Sequence, residues 1–277
     1  LLNGETGTRS DYWSFSALAG DRVLITSENT STAYQYNDYD FVIYDAGGNQ
    51  LATFGAAHYG GTAQNDPLTI GYTGRVYLRV YDTSPAGEEY RLNFNLVPGP
   101  AQIEDENNDQ TNQANAPVFE TGVGLKEAIV FGAVDRQDTS GDHFFLGNLA
   151  GGTQAQVRLT LPDNSLLEPR LQIYRSGQSA LAQTVDGTPA LDATIPANEG
   201  GAYYVKIDGT ANTRSFLGTY LASLRLLDTI PPEIRATSLP TEATNAFVNT
   251  ITLTLSEDFA PATVNDAGSF ELRQSGE

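Results

Sequence analysis

Apolar and polar residues alternate along much of this chain, with the period of two expected for strands half-buried in a sheet. Val76-Tyr77-Leu78-Arg79-Val80-Tyr81 and Tyr90-Arg91-Leu92-Asn93-Phe94-Asn95-Leu96 show it most cleanly. Residues 12–15, 22–26, 41–44, 51–54 and 68–72 form shorter apolar or β-branched runs. Asp45-Ala46-Gly47-Gly48-Asn49 is a hairpin signal, and Ser84-Pro85-Ala86-Gly87 separates the two longest runs. No amphipathic helix stands out. Short strands at this spacing predict an all-β chain of tandem antiparallel β-sandwich (jelly-roll or Ig-like) domains.

The pattern then repeats. Asp11-Tyr12-Trp13-Ser14-Phe15 through Leu18-Ala19-Gly20 returns as Asp142-His143-Phe144-Phe145 through Leu149-Ala150-Gly151. Ile43-Tyr44 through Leu51-Ala52 returns as Ile173-Tyr174 through Leu181-Ala182. Tyr77-Leu78-Arg79-Val80 returns as Tyr204-Val205-Lys206-Ile207, and Tyr90-Arg91-Leu92 as Tyr220-Leu221-Ala222. This predicts one sandwich over 1–97 and a second over 98–228 with an acidic lead-in at 104–117. Pro231-Pro232 opens a third unit, 229–277. It is too short for a whole sandwich of about 100 residues and is expected to be the start of a domain. Leu1 follows no natural start, so a fragment of a larger protein is expected.

Composition narrows the function. A net charge of −19 argues against nucleic acid and against anionic membrane surfaces. The absence of Cys excludes disulfides, thiol catalysis and Cys–zinc sites. No apolar run approaches the roughly 20 residues of a membrane helix. His58 and His143 are the only histidines, and no Gly-x-Ser-x-Gly elbow, P-loop or dinucleotide fingerprint occurs. The expectation is a non-enzyme.

One stretch concentrates chemistry. Glu104-Asp105-Glu106-Asn107-Asn108-Asp109 is a dense run of hard oxygen ligands. Calcium takes about six to eight such oxygens, and a flexible acidic run can wrap around it. The bland alternative is a solvated linker. Asp135, Asp138 and Asp142 add a loop with spaced oxygens, of which Asp142 is a candidate shared ligand. Weaker metal candidates are Asn37 to Asp40 with Asp45, where turn chemistry is preferred, and Asp228 with Glu257 and Asp258. Tyr12, Trp13, Tyr44, Tyr77, Tyr90, Tyr174, Tyr204 and Tyr220 recur in phase with strands and read as core or tyrosine-corner residues. Tyr34, Tyr36 and Tyr39 cluster in a polar loop and read as contact residues.

The repeated unit resembles the bacterial pre-peptidase C-terminal domain family, relatives of the collagen-binding domains of clostridial collagenases. The likeness rests on Glu104, Glu106, Asn108 and Asp109 followed by Ala114, on Asp11-Tyr12-Trp13, on Leu-Ala-Gly, and on strands ending at Tyr44 and Tyr174. The resemblance implies calcium held by Glu104, Glu106, Asn108 and Asp109, with Asp142 or Asp138 as partner carboxylate. His143 stands where the family usually has Tyr, and the usual Pro after the second Glu is missing. The third unit resembles bacterial Ig-like surface domains.

These readings predict calcium-stabilised structural or adhesive modules of a secreted or cell-surface protein. The partners expected are a matrix polymer, a glycan or neighbouring subunits. The competing reading is an accessory segment of a secreted peptidase whose catalytic domain lies elsewhere.

Overall fold

The computed structural model describes residues 9–30, 39–55, 61–82, 90–122, 124–136, 138, 140–228, 234–238 and 252–255. These residues form strands and connections without a helix, and none could cross a membrane as a helix.

The first sandwich is built from β1 (Arg9–Ala17), β2 (Arg22–Asn29), β3 (Tyr39–Tyr44), β4 (Gln50–Phe54), β5 (Thr62–Gln64), β6 (Leu68–Thr69), β7 (Gly74–Asp82) and β8 (Tyr90–Val97). One sheet runs β1-β7-β3-β4. In the other, β2 pairs with β8, β5 and β6. All pairings are antiparallel. Phe41, Ile43, Leu78, Val76 and Ile25 fill the space between the sheets.

The chain continues through β9 (Gln102–Ile103), β10 (Glu120–Gly122), β11 (Leu125–Ala133), β12 (Asp142–Leu149), β13 (Gln154–Thr160), β14 (Pro169–Arg175), β15 (Ala180–Gln183), β16 (Ala190–Thr194), β17 (Gly201–Gly209) and β18 (Thr219–Leu227). Here β12-β17-β14-β15 faces β10-β11-β18-β13-β16, and β9 adds to β11 in parallel. Strands β12 to β18 repeat the order of β1 to β8, with β16 in the place of β5 and β6. Strands β9 to β11 are an addition on one side. Phe144, Leu171, Val205, Tyr220 and Leu224 lie in this core. Beyond it, β19 (Ile234–Thr237) pairs with β20 (Leu253–Leu255).

A smaller apolar cluster joins the sandwiches. Leu24 and Val97 of the first meet Ala101, Ile103 and Phe131 of the second, with Ile129 and Leu221 beside them. Polar contacts ring it. Thr26 Oγ1 donates to Phe216 O at 2.7 Å, Asn164 Nδ2 donates to Asn93 Oδ1 at 3.0 Å, and Arg136 pairs with Glu28 at 3.0 Å.

The aromatic assignments need correction at several positions: Tyr44, Tyr77, Tyr174 and Tyr204 are half-buried and stand outside both cores. Tyr12 and Trp13 are not core: they are 65% and 49% exposed on β1, which has a partner on one edge alone among the described residues. Tyr39 is not a loop contact residue: it begins β3 and is buried against Tyr90, with ring centroids 5.2 Å apart. Tyr34, Tyr36 and His58 lie outside the described residues, as do Glu257 and Asp258.

Candidate metal centre

Strand β9 places the first acid. It pairs with β11 at Val130 and Phe131, and Glu104 N donates to Phe131 O at 3.0 Å. The Glu104 side chain then turns inward. Its Oε1 accepts a hydrogen bond from Ala133 N at 2.6 Å. Gly132 makes the room: a Cβ there would collide with Glu104 Oε2 and with the Tyr220 hydroxyl.

Asp142 enters from the other sheet as the first residue of β12. Gly141 before it has φ +75°, and a Cβ would run into Ile207 O and Asp208. Only glycine meets both demands. Tyr220, on β18, lies between the acids, its hydroxyl 2.9 Å from Glu104 Oε2 and 2.7 Å from Asp142 Oδ2. A phenol has one proton to donate, so it cannot serve two ionised carboxylates at once.

The lead-in wraps this pair. Asn107 takes φ 69°, a left-handed conformation that Asn tolerates. His143 N donates to Asn108 O at 3.1 Å, and Ser140 Oγ donates to Asp109 O. Asn115 closes the loop: its Oδ1 accepts from Asp105 N at 2.8 Å and its Nδ2 donates to Asp105 O at 2.9 Å. Asp138 comes from the β11–β12 connection, where its amide donates to Asp135 Oδ1 at 3.3 Å.

The structure therefore gathers Glu104, Glu106, Asn108, Asp109, Asp138 and Asp142, and adds Asp135 and Tyr220. Glu104, Asn108, Asp138 and Asp142 are at most 3% exposed. Burial is the main cause of the raised pKa values of the carboxyls here, and repulsion between neighbouring acids adds to it. The Glu104 carboxyl is pushed up to about 7, chiefly by burial. Glu106 goes to about 10 through burial and the charges of Glu104 and Asp138, and Asp138 to about 8 through burial and Asp135. Asp142 is raised well above the usual range by burial and Glu104. Nearby cations are engaged elsewhere: Arg136 with Glu28, Lys206 and Arg214 with Asp208.

Several polar atoms in the cluster are buried without a hydrogen-bond partner: Glu106 Oε1, both amide atoms of Asn108, Asp109 Oδ1 and Asp142 Oδ1. Orphaned buried oxygens are costly and rare. As placed, no three acidic or histidine side chains among the described residues are disposed to hold a metal ion. The carboxylates turn onto Ala133 N and Tyr220 instead. The donor set is nonetheless all hard oxygen, and among the described residues no ion pair reaches Glu104, Glu106, Asp109, Asp138 or Asp142. By the test of orphaned oxygens the residues fit a hard divalent cation.

The other candidates behave differently. Asp45 caps its own turn, accepting from Gly47 N and Asn49 N at 2.8 Å each. Asp105 is exposed and serves the loop through its backbone. Tyr220 escaped sequence reasoning as a site residue because its position in the strand pattern is that of a core tyrosine. Only its recurrence opposite Asp142, as Tyr90 stands opposite Asp11, could have signalled it.

No family model matches this chain, and none of the curated proteins does. Among solved structures, Aeromonas hydrophila PliG, a periplasmic inhibitor of g-type lysozyme, is similar at 14% identity over 46% of this chain and 97% of that one, with TM-score 0.31. The M60 catalytic domain of Clostridium perfringens ZmpB with its CBM51-1 and CBM51-2 domains is similar at 9% identity. That match spans 78% of this chain but 33% of the other, with TM-score 0.26. YhaK from Escherichia coli is similar at 10% identity over 80% and 86%, with TM-score 0.23. Likenesses this loose assign neither family nor activity.

Proposed function

We propose that this chain is a run of non-catalytic structural and adhesive modules of a secreted or cell-surface protein, with calcium fastening the joint between its sandwiches. The observation that carries this reading is the set of buried, orphaned oxygens on Glu106, Asn108, Asp109 and Asp142 around Tyr220. Glu104, Glu106, Asn108, Asp109, Asp138 and Asp142 would hold the ion. Calcium would supply the positive charge that this cluster lacks and let its carboxyls ionise without repelling one another.

The joint lies within reach of the same cluster. Asp135 exchanges hydrogen bonds with Asp138, and its Oδ2 accepts one from Thr62 Oγ1 of the first sandwich at 2.5 Å. Ordering the 135–142 connection around an ion would therefore order a contact between modules. The high negative charge and the lack of Cys suit a calcium-rich exterior.

Thermal unfolding with millimolar calcium and with EDTA tests the reading. A ligand at about 100 times its Kd adds about 2.7 kcal/mol of stability. The melting temperature should rise by several degrees in the intact chain and stay flat after Glu106→Ala with Asp109→Ala. An intact chain indifferent to calcium would sink the proposal.

A further inference from the structure

The two sandwiches share a strand order, but one side is closed in the second and, among the described residues, open in the first. In the second, β11 runs along β18 from Leu125↔Leu227 to Ala133↔Thr219. The free edge of β12 is stitched to the lead-in: Asn115 N donates to His143 O at 2.9 Å and Phe145 N to Asn115 O at 2.7 Å. Residues 102–133 thus close both sheets on that side. In the first, among the described residues, β8 pairs with β2 alone and β1 with β7 alone.

Burial records the difference position by position. Tyr220, Ala222, Leu224 and Leu226 face inward from β18 and are 0, 0, 0 and 5% exposed. Their counterparts on β8 are Tyr90, Leu92, Phe94 and Leu96, of which Phe94 is 39% and Leu96 43% exposed. On the facing sheet, Phe144 is fully buried, while Trp13, in the same place, is 49% exposed. Phe15 leans edge-on against Phe94 at 5.8 Å, and Leu96 lines a groove with Ala17, Leu18 and Pro98. The polar centre is halved in the same way. Tyr90 Oη donates to Asp11 Oδ2 at 2.8 Å, as Tyr220 does to Asp142. Around Asp142 the lead-in brings further acids. No described segment does so at Asp11.

We infer that this side of the first sandwich accepts an extended polypeptide strand built like residues 102–133 of this same chain. An apolar strand pairs antiparallel with β8, as β11 does with β18, and its acidic run lies along β1. A free strand edge beside exposed inward-facing apolar residues is what strand addition uses: backbone bonds supply the pairing and alternate side chains the fit. The occupant is a separate segment, because residues 102–133 already close the second sandwich.

The chain carries its own reporter, because Trp13 is its one tryptophan. The experiment adds a synthetic peptide copying residues 102–133 to the full chain in EDTA, so that the result does not depend on metal. The peptide contains no Trp. Saturable blue-shifted Trp13 emission is expected, with amide exchange on β8 slowed at least ten-fold. A peptide N-methylated at alternate positions of its 125–133 half should do neither. Unchanged emission and exchange, or an equal response to a scrambled peptide, would overturn the inference. So would protection, in the free monomer, of the β8 amides that face away from β2. A dimer with protected β8 that the peptide fails to displace would make a second copy the occupant and overturn it too.

Discussion

Tyr220 places one proton between two carboxylates, and the behaviour of the cluster follows from that shortage. In EDTA, Glu106→Gln removes a buried acid whose ionisation burial and its neighbours oppose. The metal-free protein should melt a few degrees higher at pH 8, yet lose most of its calcium response. A purely structural Glu106 would give a loss in both conditions. The same acids set a pH slope. Glu104, Glu106 and Asp138 have folded values of about 7, 10 and 8, above their unfolded values of 4.5, 4.5 and 3.8. The fold holds protons there that the unfolded chain releases. Their contribution is complete below about pH 4 and is lost as pH rises through the folded values. In EDTA the melting temperature should therefore fall between about pH 5 and 9, and saturating calcium should flatten that slope. The six proposed oxygen donors were named from the sequence in two ways: Glu104, Glu106, Asn108 and Asp109 as a dense polar run, and Asp142 and Asp138 as the partners that the family resemblance implies. Tyr220 and Gly132 were not, since a core tyrosine and a strand glycine give no local sign that a charged side chain lies against them.

At the scale of elements, the lead-in works because β9 and β11 deliver it. Gly132→Ala puts a methyl where Glu104 and Tyr220 meet. Overpacking of this kind costs about 1–3 kcal/mol, and here it also displaces a proposed donor. Denaturant unfolding should show the loss, and calcium titration of the same variant should show a weakened or absent response. Asn115→Ala acts more mildly. It removes two hydrogen bonds to Asp105, each worth about 0.5–1.5 kcal/mol, and calcium affinity should fall without the site vanishing. Strand β11 itself was not legible. A period-two pattern needs one wet face, and Val130, Phe131, Gly132 and Ala133 are buried in succession. One face of β11 meets its own core, and the other meets the first sandwich through Ile129 and Phe131. Strand β7, with buried and half-buried residues in turn, was read correctly from the same rule.

For the whole molecule, the open question is whether the sandwiches behave as one body. The repeated order of motifs made two similar units visible. It could not reveal that Leu24 and Phe131 face each other, since each reads as an ordinary strand residue. The cluster of Leu24, Val97, Ala101, Ile103 and Phe131 is small, and small polar-ringed contacts between domains usually permit relative motion. Here it is reinforced by Thr62 with Asp135 and by Arg136 with Glu28, both from the connection that the ion would order. Calorimetry should then find one cooperative transition in calcium. Leu24→Asp places a charge at a fully buried point of the contact without touching the core between the first sandwich's own sheets. It should split unfolding into two transitions, of which calcium moves only the one belonging to the second sandwich. A single transition persisting in that variant would mean that the covalent joint and the acidic cluster couple the modules by themselves. The apolar seam would then be a consequence of their alignment and not its cause.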